Sequence, residues 1–185
     1  MTQADLPILT EGDIRLRAPG LDDIQGRLAL GNEPEIQKMF GVLPDDCAPL
    51  TQAGAENWVK SRMATPKCWV IEHQGQLIGD AFFHTITPHD RRASLALGIL
   101  DPARLGQGLG TRVLNLLLAH AFGAMRLHRV SLRVIDFNAR AIAAYQKVGF
   151  VIEGRERQSA RVGSAWHDDI VMGLLAPEYA EARAA

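Results

Sequence analysis

A glycine-rich motif, Gly106-Gln107-Gly108-Leu109-Gly110-Thr111, lies between an apolar run at 95–100 and a long segment with helical apolar spacing. This context predicts a strand, a glycine loop and a helix. Glycine at alternate positions lets backbone N–H groups turn toward one point, and the helix that follows adds four N–H groups without intrahelical partners. The loop is therefore suited to bind a phosphate, although the same glycines also suit a tight chain reversal.

A second pattern lies downstream, in the segment from Asn138 to Phe150 (NARAIAAYQKVGF). Asn138 is a favourable N-cap and Gly149 a favourable residue after a helix end, so the segment predicts a short helix followed by a strand. Tyr145 lies about two turns after Asn138, which places both residues on one helix face.

Both segments together resemble the GNAT superfamily of acetyl-CoA-dependent N-acetyltransferases. The matching signatures are its glycine loop (Gln or Arg, two residues, Gly, one residue, then Gly or Ala) and its Asn…Tyr…Gly-Phe helix. The later Glu153-Gly154 and Trp166-His167-Asp168 are most similar to the RimJ/RimL and spermidine acetyltransferase branch. One loop position departs from the signature, because Leu105 stands where Gln or Arg is usual.

The rest of the chain predicts elements on both sides of the loop. Alternating apolar residues and turn signals predict strands, and helical spacing predicts helices. Before the loop we expect a strand within Ile8 to Ala18, a helix from Leu21, a loop over Gly41 to Pro49, a helix from Thr51 to before Pro66, a hairpin of Cys68 to Glu72 and Leu77 to Thr87 around Gln74-Gly75-Gln76, and a strand over Ala93 to Leu100.

After the loop, a helix over Leu109 to Met125 leads to a strand over Val130 to Val134, which predicts a crossover and parallel pairing with the preceding strand. Two final strands, Phe150 to Glu156 and Trp166 to Leu174, flank a turn at Gly163-Ser164. The resemblance implies a mixed α/β fold with a mostly antiparallel sheet of six to seven strands, a central splayed parallel pair and about four helices. We expect one domain over residues 1–185, with a core at 8–176 and a tail at 177–185.

Composition narrows the class of protein. The 185 residues are 47% hydrophobic, which suffices for one sizeable core, and the net charge of −1 argues against general attraction to nucleic acid or membranes. Cys47 and Cys68 are too few for a disulfide framework, and the histidines lack metal-ligand spacing, so we expect no metal. Asp5 and the polar residues within Leu109 to Met125 argue against a signal peptide or a spanning helix, which predicts a soluble cytoplasmic protein.

The resemblance implies that acetyl-CoA is the co-substrate. Backbone groups of the loop hold its pyrophosphate, and the edge of the preceding strand pairs with its pantetheine arm. Asn138 has two interpretations, as an N-cap and as an amide that reaches the pantetheine. The expected coenzyme residues are Leu97, Gly98, Ile99, Leu100, Leu105, Gly106, Gln107, Gly108, Leu109, Gly110, Thr111, Arg112, Asn138, Ala141 and Tyr145.

The implied reaction is direct acetyl transfer to a primary amine in a ternary complex. Tyr145, with an ordinary pKa near ~10, would protonate the leaving thiolate, and the N–H near Ile99 would stabilise the oxyanion. The strand at Ser94 to Leu97 lacks the glutamate common in relatives, so we expect a base that acts through water. His84 is the first candidate, and Glu33, Glu35 and Asp168 are the others; each also has an ordinary structural interpretation.

The acceptor stays open at this point: a protein N-terminus, a polyamine or another small amine fits equally well. We expect its surface within Gly31 to Pro49, which includes Asp45 and Asp46, in the second helix and around Ser159 to Trp166. A homodimer is compatible with this interpretation. The main alternative is a noncatalytic module that binds or senses acyl-CoA. A P-loop enzyme fits less well because no Lys-Ser/Thr pair follows the glycines, and a dinucleotide-binding enzyme fits less well because of the position of the loop in the chain.

Overall fold

Eight strands form one sheet in the computed structural model, which describes residues 6–43 and 47–184. The strands are β1 (Leu9–Glu11), β2 (Ile14–Arg17), β3 (Cys68–His73), β4 (Gln76–Thr87), β5 (Arg92–Ile99), β6 (Arg129–Ile135), β7 (Val151–Val162) and β8 (Ala165–Leu175). The α-helices are α1 (Asp23–Leu30), α2 (Pro34–Lys38), α3 (Gln52–Ala64), α4 (Leu109–Phe122), α5 (Ala139–Lys147) and α6 (Ala176–Ala184).

The strand order is β1-β2-β3-β4-β5-β6-β8-β7. Neighbouring strands are antiparallel except β5 and β6, which are parallel and joined by the crossover through α4. The predicted mixed, mostly antiparallel sheet with one central parallel pair is therefore confirmed. The predicted hairpin around Gly75 is also present, as β3 and β4.

The described residues form eight strands and six α-helices, whereas the sequence predicted six to seven strands and about four helices. Each difference has a local cause. The expected single strand at Ile8 to Ala18 is a hairpin of β1 and β2, because Gly12 takes a φ of 57° and reverses the chain. Helix α2 has five residues, too short to show a period, and begins at Pro34. Tail residues form α6, where the Glu178 side chain accepts a hydrogen bond from the Leu175 N–H at 2.9 Å.

The main core lies between one face of the sheet and α4. Its members are buried apolar residues on alternate strand positions and on one stripe of the helix, including Ala81, Phe83, Leu95, Leu132, Met172, Val113, Leu117 and Ala121. Tyr145 and Phe150 join this core from α5 and the start of β7. Removal of this apolar surface from water stabilises the fold and fixes which face of β5 and β6 remains available to ligands.

Buried ion pairs hold the first helices on the sheet. Asp23 in α1 accepts hydrogen bonds from the Arg17 guanidinium at 2.5 and 3.0 Å and from the Gly20 N–H at 2.8 Å. Arg62 in α3 donates to the buried carboxylate of Asp80 in β4 at 2.6 Å. These contacts compensate the cost of burying each charge, and they fix the helices beside the sheet.

The parallel pair is short. Register pairs join β5 and β6 only at Arg92–Arg129, Ala93–Val130 and Ser94–Ser131 among the described residues. Beyond Ser94 and Ser131 the two strands separate, as the predicted splay requires. The sheet therefore contains a gap between β5 and β6, with the glycine loop at its mouth.

No helix within the described ranges combines the length and the apolar character that a membrane crossing needs.

Candidate active site

The gap between β5 and β6 widens into a cleft of about 950 Å³. Its walls come from both strands, the glycine loop, α4, α5 and the segment around α2. The structure brings most of the predicted site residues to this one cleft: His84, Leu97, Gly98, Ile99, Leu105, Gly106, Gly108, Leu109, Gly110, Thr111, Asn138, Ala141 and Tyr145.

The glycine loop leaves its side of the cleft open. Gly106 and Gly108 have φ values of 75° and 74°, a conformation that glycine adopts without strain. A Cβ atom at Gly106, Gly108 or Gly110 would meet no other atom within 4 Å. Helix α4 begins directly after Gly108, so its first N–H groups and its positive dipole end lie at an accessible surface that suits a phosphate.

Three predicted coenzyme residues do not line the cleft. Leu100 is buried, and its N–H donates to the Ile78 carbonyl at 2.7 Å. The Gln107 amide donates to the Ala103 carbonyl at 2.6 Å. The Arg112 N–H donates to the Gly108 carbonyl at 3.1 Å, and its guanidinium contacts Asp13 at 3.0 Å. In Arg112, both the backbone donor and the side chain are thus engaged within the protein.

The backbone of β5 presents donors to the gap. Hydrogen-bonded and non-bonded residue pairs alternate along an antiparallel ladder. Because the Leu100 N–H donates to Ile78 in β4, the N–H groups of Ile99 and Leu97 face away from β4 and toward β6. The separation of β6 leaves this edge available to a ligand with amide groups.

Helix α5 places Asn138 and Tyr145 on the cleft. The Asn138 side chain accepts a hydrogen bond from the Ala141 N–H at 3.2 Å, so the predicted N-cap is confirmed. Tyr145 is 8% exposed, and its ring packs edge-on against Phe150 with centroids 5.8 Å apart. Burial raises the pKa of the Tyr145 hydroxyl to about 12. The hydroxyl therefore keeps its proton at neutral pH, as a general acid must.

The base candidates lie in different places. His84 is exposed, lines the cleft, and its Nδ1 lies 3.0 Å from the Thr85 hydroxyl. Glu33 and Glu35 do not line the cleft. Asp168 does not line it either. Its carboxylate accepts hydrogen bonds from the Gln158 N–H at 2.7 Å and from Arg155 at 2.9 Å, which together lower its pKa. Asp45 and Asp46, expected near the acceptor, lie outside the described residues.

Several residues that line the cleft were not predicted from the sequence. Phe40 follows α2, and its ring lies so close to Gly98 that a Cβ there would approach the Phe40 Cζ to 2.8 Å. Arg140 lies on the first turn of α5, and Asp169 on β8. The alternation along β8 places Asp169 on the face opposite the core residues Ile170 and Met172, but it does not show that this face lines the cleft, because the neighbouring strand β6 is distant in sequence.

The structure is that of a mixed α/β domain with a splayed parallel pair and an open glycine loop and helix start at the mouth of the cleft. A family model described as "Acetyltransferase (GNAT) domain" matches residues 13–151. The chain belongs to the GNAT acetyltransferase family.

Individual relatives agree with this assignment. The chain is 29% identical over 111 residues to spermidine N(1)-acetyltransferase of Escherichia coli (strain K12), covering 60% of this chain and 59% of that protein. It is 28% identical over 177 residues to the uncharacterized N-acetyltransferase YoaA of Bacillus subtilis (strain 168), covering 92% and 98%. The chain spans roughly half the length of several of the curated relatives that it matches.

Solved structures agree on the fold. Spermidine N-acetyltransferase from Vibrio cholerae, determined in complex with CoA and spermine, superposes with a TM-score of 0.75 at 23% identity, covering 92% of this chain and 99% of that chain. This likeness concerns the fold.

Proposed function

We propose that the protein is an N-acetyltransferase that moves an acetyl group directly from acetyl-CoA to a primary amine. The observation that carries the proposal is one cleft that joins an open glycine loop, a strand edge with free N–H groups and the buried hydroxyl of Tyr145. Each part suits a different portion of an acyl-CoA thioester.

Coenzyme binding would use mostly backbone groups. The pyrophosphate would lie at the start of α4, where N–H groups of residues 108–111 have no partner within the helix. The amide-bearing pantetheine arm would pair with the edge of β5 at Leu97 and Ile99. Because these contacts need no side chain, Leu105 in place of the usual Gln or Arg leaves them intact. Arg140, at the rim, adds a positive charge for a phosphate.

In the transfer step, the neutral amine nitrogen attacks the thioester carbonyl carbon, and the carbonyl oxygen takes up negative charge. The Ile99 N–H would donate to this oxygen. Collapse of the intermediate forms the amide bond and breaks the carbon–sulfur bond. The Tyr145 hydroxyl gives its proton to the departing thiolate. The extra proton on the attacking nitrogen then passes through water to the tyrosinate, so the products are the acetylated amine and free CoA and the tyrosine is restored.

The acceptor must lose a proton before it attacks, because an alkyl ammonium has a pKa near ~10.4. His84 is the base candidate that lines the cleft, and it would act through water. The acceptor class we propose is a primary amine, either a small amine or a peptide N-terminus. Relatives named spermidine N(1)-acetyltransferases and a structural neighbour named as a ribosomal L7/L12 alpha-N-protein acetyltransferase support both choices.

The rival function is a noncatalytic acyl-CoA sensor. The sequence at Ser94 to Leu97 offers no carboxylate beside the thioester site, which favours that rival. The presence of a tyrosine hydroxyl in the cleft, at Tyr145, favours the enzyme.

The deciding experiment measures release of free thiol from acetyl-CoA across polyamines, aminoglycosides, amino acids and short peptides with free N-termini. If the protein is an enzyme, at least one amine class should release free thiol faster than hydrolysis alone does. Tight binding of acetyl-CoA by calorimetry without release for any amine would support the sensor instead.

A further inference from the structure

Asp169 lies on the side of the sheet opposite α4. Along β8 the buried residues Ile170 and Met172 belong to the core, so Asp169 and Val171 face the other way and line the cleft. Asp169 is the register partner of Ile135 in β6, and Ile135 also lines the cleft. Side chains of such partners are neighbours on one face, with Cβ atoms about 5 Å apart.

Most charged side chains in the cleft already have a partner. Arg92 pairs with Asp90 at 3.3 Å, Arg104 with Asp101 at 3.5 Å, and Arg133 with Glu156 at 2.8 Å. Arg129 forms a two-pronged pair with Glu153, one contact of which measures 2.6 Å. Within the described residues, the cleft charges without a side-chain partner are Arg140, beside the predicted coenzyme site, and Asp169.

The backbone around Asp169 is fixed. Its N–H donates to the Ser159 hydroxyl at 3.0 Å, and the residue also pairs with Glu156 in β7. The carboxylate thus projects from a strand held on both sides. A negative charge in such a place attracts a cation from solvent, because its orientation costs little entropy on binding.

The distance between Asp169 and β5 determines which cationic group of an acceptor this carboxylate can bind. Strands are spaced by about 4.8 Å, and β6 lies between β5 and β8, so Asp169 is roughly 10 Å or more from the strand edge that would hold the thioester. A nitrogen that attacks a carbonyl beside β5 is therefore out of direct reach of this carboxylate. A second positive charge on the same acceptor, a few carbon atoms away, is within reach.

The surface between these points is mixed: Ser131 and Arg133 of β6 lie there, with Arg133 held in its ion pair with Glu156, beside apolar side chains. Phe40, Ile135 and Val171 line the cleft on the same side of the sheet as Asp169. An aliphatic chain would be desolvated along these apolar side chains, and a terminal ammonium would then meet the carboxylate.

On the basis of the proposed transferase function, we infer that Asp169 is a specificity residue that binds a second cationic group of the acceptor, separate from the reacting nitrogen. The acceptors are thus amines that carry an additional positive charge at the end of a short aliphatic spacer. Asp169 does not touch the reacting atoms.

The test compares 1,4-diaminobutane with n-butylamine, which has the same chain length and one charge, for the wild type and Asp169→Asn. Binding of each amine to the CoA complex is measured by calorimetry, and turnover by thiol release. We expect the wild type to prefer the diamine, and Asp169→Asn to raise the Kd and KM for the diamine about 10-fold or more, as for a lost charge-assisted hydrogen bond. The Kd and KM of Asp169→Asn for butylamine should stay within about 3-fold of the wild-type values.

Two controls separate this role from general effects. Glu181→Gln removes the same charge from an exposed residue of α6 and should leave both amines unaffected, whereas Asp169→Glu should keep the preference for the diamine. Equal losses for both amines in Asp169→Asn, or no loss for either, would overturn the inference. So would failure of the wild type to bind the diamine while it acetylates other amines; absence of thiol release with every amine would instead refute the transferase function.

Discussion

Tyr145 is the residue on which the proposed chemistry depends most directly. We expect Tyr145→Phe to lower kcat about 100-fold or more, because general acids contribute that much when they protonate a poor leaving group. The ring contact with Phe150 survives in the variant, so folding and acetyl-CoA affinity should hardly change. Calorimetric binding and thiol-release kinetics on the same preparations measure both quantities.

The chain contains a matched control for this substitution, since Tyr179 is its other tyrosine. Tyr179 lies on α6, packs against Phe122, and its hydroxyl accepts from Arg183 at 2.9 Å. Tyr179→Phe should leave kcat unchanged. Full activity of Tyr145→Phe would remove the acid role, and loss of acetyl-CoA binding in that variant would make Tyr145 a coenzyme contact instead.

Residues with local signals were predictable from the sequence, and residues placed by strand order were not. Asn138 could be predicted as an N-cap because its acceptor role depends only on the next three residues. Asp169 reaches the cleft because β8 lies between β6 and β7, out of sequence order. No pattern within β8 encodes that insertion.

Two glycines of the loop, Gly108 and Gly110, have different backbone conformations. Gly108 has a φ of 74° and precedes α4, whereas Gly110 has a negative φ and belongs to the helix. We expect Gly108→Ala to destabilise the fold by about 1–2 kcal/mol and to weaken acetyl-CoA binding, because the loop must distort. Gly110→Ala should instead stabilise α4 by up to ~1 kcal/mol, since alanine favours helix and its Cβ meets no atom.

Thermal unfolding and calorimetric titration with acetyl-CoA of the two variants test this contrast. Equal changes in stability at Gly108 and Gly110 would show that backbone conformation is not the determinant. Unchanged coenzyme affinity in Gly108→Ala would separate the loop conformation from phosphate binding.

Some strands and helices could be predicted from the sequence, and others could not. Strands β3, β4 and β5 were identifiable because alternation and turn residues agree along the segment. The hairpin of β1 and β2 was not, because strands of three and four residues carry too few alternations to separate one strand from two. Helix α6 depends on docking after β8, which the composition of a tail does not reveal.

Across the whole molecule, surface carboxylates that form ion pairs or accept hydrogen bonds predict that the folded state loses stability at low pH. Contact with Arg112 lowers the pKa of Asp13, contact with Arg129 lowers that of Glu153, and the Gln158 N–H lowers that of Asp168. A carboxyl whose pKa is lower in the folded state stabilises the fold above its unfolded pKa of about 4, and this contribution disappears as pH falls through the folded value. We therefore expect the Tm to fall below about pH 4.

Scanning calorimetry from pH 2 to 6 measures this dependence. Asp168→Asn should lower the Tm at pH 6 and reduce the difference in Tm between pH 6 and pH 2, whereas Glu181→Gln should leave the profile unchanged. A Tm profile of Asp168→Asn that runs parallel to the wild type would contradict the assignment.

The short ladder between β5 and β6 has a consequence for the lifetime of the protein. Within the described residues, three register pairs join the first five strands to the last three, so a ligand that touches both strands beyond Ser94 and Ser131 ties the two parts together. At a concentration of 100 times its Kd, such a ligand adds about 2.7 kcal/mol to the stability of the folded state. We expect limited proteolysis of the purified protein to slow as acetyl-CoA is added, and an unchanged rate of cleavage would show that the coenzyme does not tie the two parts together.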